Sequence, residues 1–280
     1  MRTDFVKMHG AGNDYIYIDC TRNPAPMQPE ELAIKLSDRH KGIGGDGLVL
    51  ILPSVTATCR MRMFNADGSE GRMCGNAIRC VGKYVYEAGL TRDREITVET
   101  MSGVKRLRLF GGEGHISEAE VDMGKAETAP ERIPMMCKRP FIAQEIEVGG
   151  KRYRGTAISM GNPHLVIETG DTEAIDIERI GPLFERHSLF PERVNTEFAQ
   201  QTDSHTIKMR VWERGSGETM ACGTGACATV AAFALTGKVE YDTPVTVLLR
   251  GGSLTVTCRR DMSVLMRGEA VEVFRGTIDI

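Results

Sequence analysis

The order of apolar and polar residues along the chain predicts a protein built largely from short β-strands. Nine stretches follow the two-residue period of strands and are rich in branched apolar side chains. They are YIYID, GLVLIL, EITVET and VKRLRLF in the first half of the chain, and TAISM, LVIE, TIKMRVW, VTVLL and LTVT in the second. The final stretch, VEVFRGTIDI, is also strand-like, and we expect it to return and complete the first half.

Three segments predict helices instead. In residues 77–88, apolar side chains recur with the spacing i, i+3, i+4, i+7, and Gly89 provides a stop signal. The stretch GACATVAAFALTG (225–237) is apolar nearly all round, which is typical of a helix inside a protein. A shorter helix is predicted for residues 29–40. Each half is therefore predicted to be a mixed α/β unit with strands around one helix.

The two halves of the chain repeat the same pattern. Residues 61–76, MRMFNADGSEGRMCGN, align without a gap with residues 209–224, MRVWERGSGETMACGT, at an offset of 148. GNDYIYID (12–19) pairs with GNPHLVIE (161–168) at 149. Since these matches keep their order with offsets that differ by one residue, we predict a duplicated architecture.

The boundary between the halves is predicted near the Gly-rich turn at 111–114 or the Pro-containing stretch at 126–140. With the returning final strand, this gives an N-terminal domain of residues 1–118 plus about 266–280, which carries Cys74. The C-terminal domain is residues 119–265 and carries Cys222.

Composition narrows the class of partner. The 280 residues are 41% hydrophobic and 26% charged, which is ordinary for a globular protein. The net charge of −3 comes without a basic face or arm, so no nucleic-acid partner is expected. No apolar run approaches the ~18 residues of a membrane span, and the start lacks the features of a signal peptide. We expect a cytoplasmic protein with a small-molecule ligand and no membrane contact.

Eight cysteines are scattered along the chain, and most are expected to be reduced, buried and apolar in character. The two close pairs have the spacings C-x5-C (74, 80) and C-x4-C (222, 227) and not C-x-x-C. These spacings favour neither a zinc site nor a thioredoxin-like redox pair, and no metal is predicted.

Cys74 and Cys222 lie at equivalent positions, each followed by Gly and the start of a predicted helix. A helix N-terminus favours the thiolate, and its unpaired N–H groups can hold a carboxylate. Two equivalent thiols suit inversion at a carbon acid, in which one group removes a proton from one face and the other donates to the opposite face. An α-amino acid would supply both the carboxylate and the acidic hydrogen.

Further polar residues occupy repeat-equivalent or neighbouring positions. Asn13 matches Asn162, and Asn65 matches Glu213. Each residue alone is compatible with a turn or a structural role. Together they suggest a ligand with more than one charged group, and the remaining candidates are Asn195, Arg214 and His164.

These segments resemble the diaminopimelate epimerase family of cofactor-independent isomerases. The resemblance rests on MHGAGNDYIYID, GIGGDGL, RMFNADGSEGRMCGNAIRC, GNPHLVI, RVNTEF and WERGSGETMACGTGACA, spread over about three-quarters of the chain. It implies an α/β (α+β) fold of two pseudo-symmetric domains, each a mostly antiparallel, β-barrel-like sheet around a central helix. It also implies a homodimer that converts LL-2,6-diaminoheptanedioate to the meso isomer without a cofactor, for lysine and peptidoglycan synthesis.

The resemblance also implies roles for individual residues. Cys74 and Cys222 would exchange the roles of acid and base, and His164 and Glu213 would tune them. The family often has Gln where this chain has Gly47, which puts one contact to the distal end of the substrate in doubt. The implied substrate-binding residues are Asn13, Asn65, Gly75, Asn76, Asn162, Asn195, Glu213, Arg214, Gly223 and Thr224.

Other readings of the cysteine pair lead to different functions. Proline racemases carry Cys-Gly-His-Gly at the first motif, whereas this chain has Cys74-Gly75-Asn76-Ala77, and the phenazine-biosynthesis isomerases lack the pair. No lysine is marked as a Schiff-base residue for pyridoxal phosphate. A thiol redox protein, with a disulfide between Cys74 and Cys222, and a ligand-binding protein without catalysis remain alternatives.

Overall fold

The computed structural model describes residues 2–280 and contains, within this range, four α-helices and eighteen β-strands. The helices are α1 (Pro29–Ser37), α2 (Gly75–Glu87), α3 (Ile177–Glu185) and α4 (Gly223–Leu235). The strands are β1 (Arg2–Gly10), β2 (Asn13–Asp19), β3 (Gly47–Leu52), β4 (Cys59–Asn65), β5 (Glu70–Gly71), β6 (Glu95–Thr100), β7 (Gly103–Phe110), β8 (Glu118–Lys125), β9 (Gln144–Val148), β10 (Lys151–Ser159), β11 (Pro163–Glu168), β12 (Asn195–Asp203), β13 (Thr206–Glu213), β14 (Gly217–Glu218), β15 (Val245–Leu249), β16 (Gly252–Cys258), β17 (Ser263–Glu269) and β18 (Val271–Asp279).

The chain divides into two compact units. The first comprises the residues up to Asp122 together with Arg267–Ile280, and the second is Met123–Met266. The final strand thus belongs with the first half of the chain.

In the first unit, a mostly antiparallel sheet surrounds α2. Strand β1 lies antiparallel to both β18 and β2, with Arg2 opposite Asp279 at one end. The order continues through β3, β4, β6, β7 and β8, and only the pairs β2–β3 and β4–β6 are parallel among the pairings that join these strands. Helix α2 packs against β1, β2, β4 and β7, which come from both ends of this order. The sheet is therefore curved around the helix.

The second unit repeats this arrangement. Strands β10 and β11 are antiparallel, β11 and β12 parallel, β12 and β13 antiparallel, β13 and β15 parallel, and β15 and β16 antiparallel. Helix α4 packs against β10, β11, β12 and β16, and nearly all of its residues are buried. The parallel pairs fall at the same places as in the first unit, so the sequence duplication is a structural one.

Two of the connections between parallel strands contain the remaining helices, α1 and α3. Helix α1 connects β2 to β3 and packs its buried Leu32 and Leu36 in one apolar cluster with Phe64. Helix α3 connects β11 to β12, and its Phe184 lies in a cluster with Trp212. A helical crossover is what a parallel pair requires. The sequence pattern did not predict α3, because it contains Pro182, yet α3 occupies the residues equivalent to α1.

Helix α1 ends at Ser37, three residues before the predicted limit at residue 40. The carboxylate of Asp38 accepts hydrogen bonds from the backbone N–H groups of His40 (2.7 Å) and Lys41 (2.9 Å). This Asx-type turn competes with helical bonding and ends the helix. Within residues 2–280, no helix is both long enough and apolar enough to cross a membrane.

Candidate active site

Cys74 is the N-cap residue of α2 in the first unit. Its backbone is extended (φ −126°, ψ 122°), and its carbonyl accepts the first helical hydrogen bond from the Ile78 N–H at 3.0 Å. The thiol is partly exposed and donates to Oδ1 of Asn13 at 3.3 Å. The chain therefore places a thiol beside the unpaired N–H groups of a helix N-terminus.

The side chain of Asn13 is fixed by a cluster of charges. Its Nδ2 donates to Asp46 at 2.6 Å, so its carbonyl oxygen faces Cys74 and also accepts from Asn76 at 3.4 Å. Arg39 donates to Asp46 at 3.0 Å and to Asp14 at 2.7 Å. Burial raises the pKa of Asp14, but Arg39 and Lys7 lower it more, and the net pKa lies below its ordinary value. Sequence reasoning missed Asp46, which lies within the quoted motif GIGGDGL.

Asn65 and Gly47 lie opposite each other where β4 pairs with β3. Asn65 is exposed and donates to the Ser69 hydroxyl at 2.9 Å. A Cβ at Gly47 would lie 2.0 Å from the carbonyl oxygen of Phe64 and 2.8 Å from the Tyr15 ring. This backbone has no room for a side chain at Gly47, so a Gln at this position would require the backbone to shift.

Cys222 is the N-cap residue of α4 in the second unit and is buried. Its sulfur accepts from the Gly225 N–H at 3.4 Å and lies 3.5 Å from the Thr224 hydroxyl. Burial raises the pKa of the Cys222 thiol well above its ordinary value, and the carboxylates of Glu213 and Glu197 raise it further. The hydrogen bonds from Thr224 and Gly225 oppose this rise.

A hydrogen-bonded chain leads from a buried carboxylate to Cys222. Nδ1 of His164 lies 2.7 Å from Oε1 of Glu197, and both side chains are completely buried. Nε2 of His164 lies 3.0 Å from Oδ1 of Asn162, whose Nδ2 donates to Thr224 at 3.4 Å. Since Thr224 lies 3.5 Å from the sulfur, this chain connects Glu197 with Cys222, and the charge of Glu197 also raises the pKa of Cys222. Sequence reasoning missed Glu197, although the motif RVNTEF contains it.

Glu213, Asn195 and Arg214 lie near the same end of the second sheet. Burial raises the pKa of Glu213, while a 2.5 Å hydrogen bond from the Thr219 hydroxyl lowers it in part. Asn195 uses both ends of its amide on the backbone: it donates to the Pro163 carbonyl and accepts from the Arg214 N–H, both at 3.0 Å. In this structure Asn195 therefore holds the loop that carries Arg214.

The two units differ around their thiols. The register β2–β3 places Tyr15 opposite Gly47, and the register β11–β12 places His164 opposite Asn195. At the same offsets, Val49 corresponds to Glu197. The first unit thus has an aromatic and an aliphatic residue where the second has the His164–Glu197 pair. Within residues 2–280, no group of three or more His, Cys, Asp or Glu side chains is arranged to hold a metal ion.

Comparison with known proteins identifies the family. A sequence model described as diaminopimelate epimerase matches residues 5–129 and 156–273, which is more than half of the chain. The chain belongs to the diaminopimelate epimerase family. The diaminopimelate epimerase of Desulfovibrio desulfuricans is 53% identical over 280 residues, covering 97% of this chain and 96% of that protein. That of Acetivibrio thermocellus is 50% identical, covering 99% and 98%.

The architecture of this diaminopimelate epimerase family member is shared with more distant proteins. A PhzF-family phenazine biosynthesis protein from Bacillus anthracis superposes with a TM-score of 0.73 at 17% identity, and each chain is covered completely. At this identity the likeness concerns the fold alone. It agrees with the predicted α/β class and the two-domain arrangement.

Proposed function

We propose that this protein is an isomerase that epimerises LL-2,6-diaminoheptanedioate to the meso isomer, with Cys74 and Cys222 as its acid and base. The assignment to the diaminopimelate epimerase family and the full-length relatives of that name support the reaction. One structural observation carries the mechanism: each unit places a cysteine at the N-cap of its central helix, at equivalent positions of the repeat. The product would serve lysine and peptidoglycan synthesis.

In the proposed reaction, one cysteine is a thiolate and removes the α-proton from one face of the substrate carbon. The other is a thiol and donates its proton to the opposite face, so charge and protons balance without a cofactor. The roles of the two groups are exchanged in the reverse direction. This requires one substrate molecule to meet both thiols.

The reacting α-carboxylate is proposed to bind at the two helix N-termini, formed by Gly75-Asn76 and Gly223-Thr224. The N–H groups there have no intrahelical acceptor and carry the positive end of the helix dipole. Such donors stabilise the negative charge that develops on the carboxylate as the α-proton leaves.

The remaining polar residues are proposed to recognise the amino groups and the distal carboxylate. Asn13 is in contact with Cys74, and Asn162 is linked to Cys222 through Thr224. His164 and Glu213 are proposed to tune Cys222, and Glu197, which anchors His164, joins them. The other proposed substrate-binding residues are Asn65, Asn195, Glu213 and Arg214.

The two compact units are proposed to be the two domains of the enzyme, one carrying Cys74 and the other Cys222. A cytoplasmic location is proposed with them, because two reduced thiols are needed and the cytoplasm keeps thiols reduced. A homodimer is also proposed. Its support in this chain is that β18 exposes Val273 (54%) and Phe274 (45%), which are large apolar side chains. Sedimentation velocity would test the dimer.

The reaction is tested by incubating the reduced protein with LL-diaminoheptanedioate in heavy water without added cofactor. We expect loss of the α-proton NMR signal and appearance of the meso isomer. Cys74→Ala and Cys222→Ala should each abolish turnover, because each removes one of the two proton-transfer groups.

Two other cysteines provide matched controls on the same helices. Cys80 on α2 and Cys227 on α4 are completely buried and are not assigned to the reaction. Cys80→Ala and Cys227→Ala should retain epimerisation. Turnover that survives in Cys74→Ala or Cys222→Ala would contradict the two-base mechanism.

A further inference from the structure

Arg79 is a completely buried cation on the second turn of α2. Its Nη1 folds back to donate to the carbonyl of Gly75 at 3.2 Å, and its Nε donates to the carbonyl of Glu269 at 3.1 Å. Its Nη2 is buried and has no hydrogen-bond partner within residues 2–280. The guanidinium therefore has neutral acceptors on two of its nitrogens and none on the third.

No carboxylate forms an ion pair with this guanidinium in the part of the chain that the structure describes, although the Glu269 carboxylate acts on it electrostatically without contact. The side chain of Glu269 is 44% exposed and lies beside His9, so only its carbonyl meets Arg79. Lys83, one turn further along α2 and also buried, is different because it forms a 2.6 Å ion pair with Glu87. Burying a cation without an anion is costly, and an arginine does not escape the cost by losing its proton.

Three titratable groups of the first unit that form anions remain near Arg79, namely Tyr17, Cys80 and Cys74. Burial raises the pKa of Tyr17 well above its ordinary value, and its hydroxyl donates to the carbonyl of Ala77. Burial raises the pKa of Cys80 to about 11. Both groups are therefore neutral at neutral pH, and Cys74 is the remaining candidate for the anion.

On β1, which packs against α2, two further cations already face carboxylates, and Arg72, two residues before Cys74, is exposed. Lys7 on β1 pairs with Asp14, and His9 faces Glu269. Helix α2 also packs against β4 and β7, and the buried side chains of these strands are apolar: Cys59, Met61, Met63, Phe64, Leu107 and Leu109.

We infer that Arg79 is a positioning residue for Cys74, whose thiolate its buried guanidinium stabilises through the first turn of α2. The contact with Gly75, the residue directly after Cys74, brings the positive charge to the start of the helix. Gly10 leaves the necessary space, since a Cβ there would lie 2.7 Å from Nη2. The inference rests on the proposed function only in taking Cys74 as an acid–base group.

The second unit has no such cation on its central helix. The residue equivalent to Arg79 is Cys227, and the charged neighbours of Cys222 are the carboxylates Glu213 and Glu197. The two thiols are therefore unequal: Cys74 has a buried cation nearby, and Cys222 has buried anions. The Cys74 thiol donates to Asn13 in this structure, and we expect it to lose its proton more readily than the Cys222 thiol does.

The test measures the thiolate directly, by the rate of iodoacetamide alkylation of Cys74 as a function of pH, followed by peptide mass spectrometry. In the unmodified protein the midpoint should lie below the value of an ordinary thiol, about 8.5. Arg79→Met should raise the midpoint by on the order of one pH unit or more. Arg79→Lys, which keeps the charge, should restore most of the shift.

Lys83→Met is the matched control, because it removes a buried cation from the same helix that already has its own carboxylate. It should leave the Cys74 midpoint unchanged even if it lowers stability. For epimerisation, Arg79→Met should lose kcat/KM near neutral pH and recover part of it as the pH rises, whereas a purely structural loss would not depend on pH in this way.

Several outcomes would overturn the inference. These are a midpoint in the unmodified protein at or above 8.5, an unchanged midpoint in folded Arg79→Met, or an equal shift in Lys83→Met. If Arg79→Met does not fold, Arg79→Gln and the unmodified protein still provide the measurement. Alkylation needs no turnover, so absence of epimerisation in every variant would count against the proposed function and not against the role of Arg79.

Discussion

At the scale of single residues, Gly225 and Ala77 show that the neighbouring side chain decides whether a Cβ fits at equivalent positions of the repeat. They are equivalent, three residues after Cys222 and Cys74. A Cβ at Gly225 would lie 2.7 Å from Oε1 of Glu197 and 3.2 Å from the sulfur of Cys222. In the first unit the residue equivalent to Glu197 is Val49, and a methyl group is present at Ala77. The carboxylate next to Cys222 therefore excludes a side chain at Gly225.

Gly225→Ala should lower kcat/KM by on the order of 100-fold, because the new methyl group displaces either the carboxylate of Glu197 or the reacting sulfur. Ala77→Gly is the control in the other unit and should cost only about 1 kcal/mol of stability, from its weaker helix propensity. Steady-state kinetics with thermal unfolding would check both. Activity of Gly225→Ala equal to that of the unmodified protein would show that the carboxylate and thiol do not need their present separation.

At the scale of elements, α1 and α3 pack on equivalent strands with residues of different size. The first unit has Ala33 on α1 and Phe64 on β4, and the second has Gly181 on α3 and Trp212 on β13. A Cβ at Gly181 would come within 2.3 to 2.6 Å of three atoms of the Trp212 ring. Trp212 also donates its Nε1–H to Glu185 of α3 at 2.8 Å. The larger ring is thus accommodated by the absence of a side chain on the helix.

Gly181→Ala should destabilise the protein by about 1–3 kcal/mol through overpacking, although alanine is the better helix former. Adding Trp212→Phe should relieve the clash, so the double variant should be less destabilised than the sum of the two single variants. Urea unfolding of the four proteins in this cycle gives the coupling energy. Additive effects would mean that α3 moves away from the sheet without cost.

At the scale of the whole molecule, the sequence predicted the structural features that depend on the local periodicity of apolar residues and on the internal repeat. Ten of the eighteen strands, the two central helices, the duplication and the α/β class follow from those patterns. The sequence did not predict the strands β1, β4, β5, β8, β9, β12, β14 and β17. It did not predict α3, because Pro182 interrupts a short helix that is stabilised by burial of Ile177 and Phe184. It also missed Asp46 and Glu197, because each acts on an asparagine or histidine 33 residues away in sequence. The pairing of such residues is set by strand register, which local pattern does not contain.

The stability of the first unit depends on β18, the strand that returns to it from the end of the chain. Strand β18 pairs with β1 from Arg2–Asp279 to His9–Val271, and Phe274 makes an edge-to-face contact with Phe5 at 5.9 Å between ring centroids. Because all nine of its residues are at least partly exposed, its contribution comes mainly from the backbone ladder. At about 1 kcal/mol for each hydrogen bond, losing this ladder is comparable to the total stability of a domain, about 5–15 kcal/mol.

A chain that ends at Ala270 should therefore lose the fold of the first unit while the second unit keeps its own. Hydrogen exchange should show loss of amide protection in β1, β2 and α2, which pack together, and retained protection in α4. The second unit should stay folded, because its sheet and central helix contain no residue of the deleted strand. Full protection of β1 in the shortened chain would show that its pairing with β2 and its packing on α2 suffice without β18.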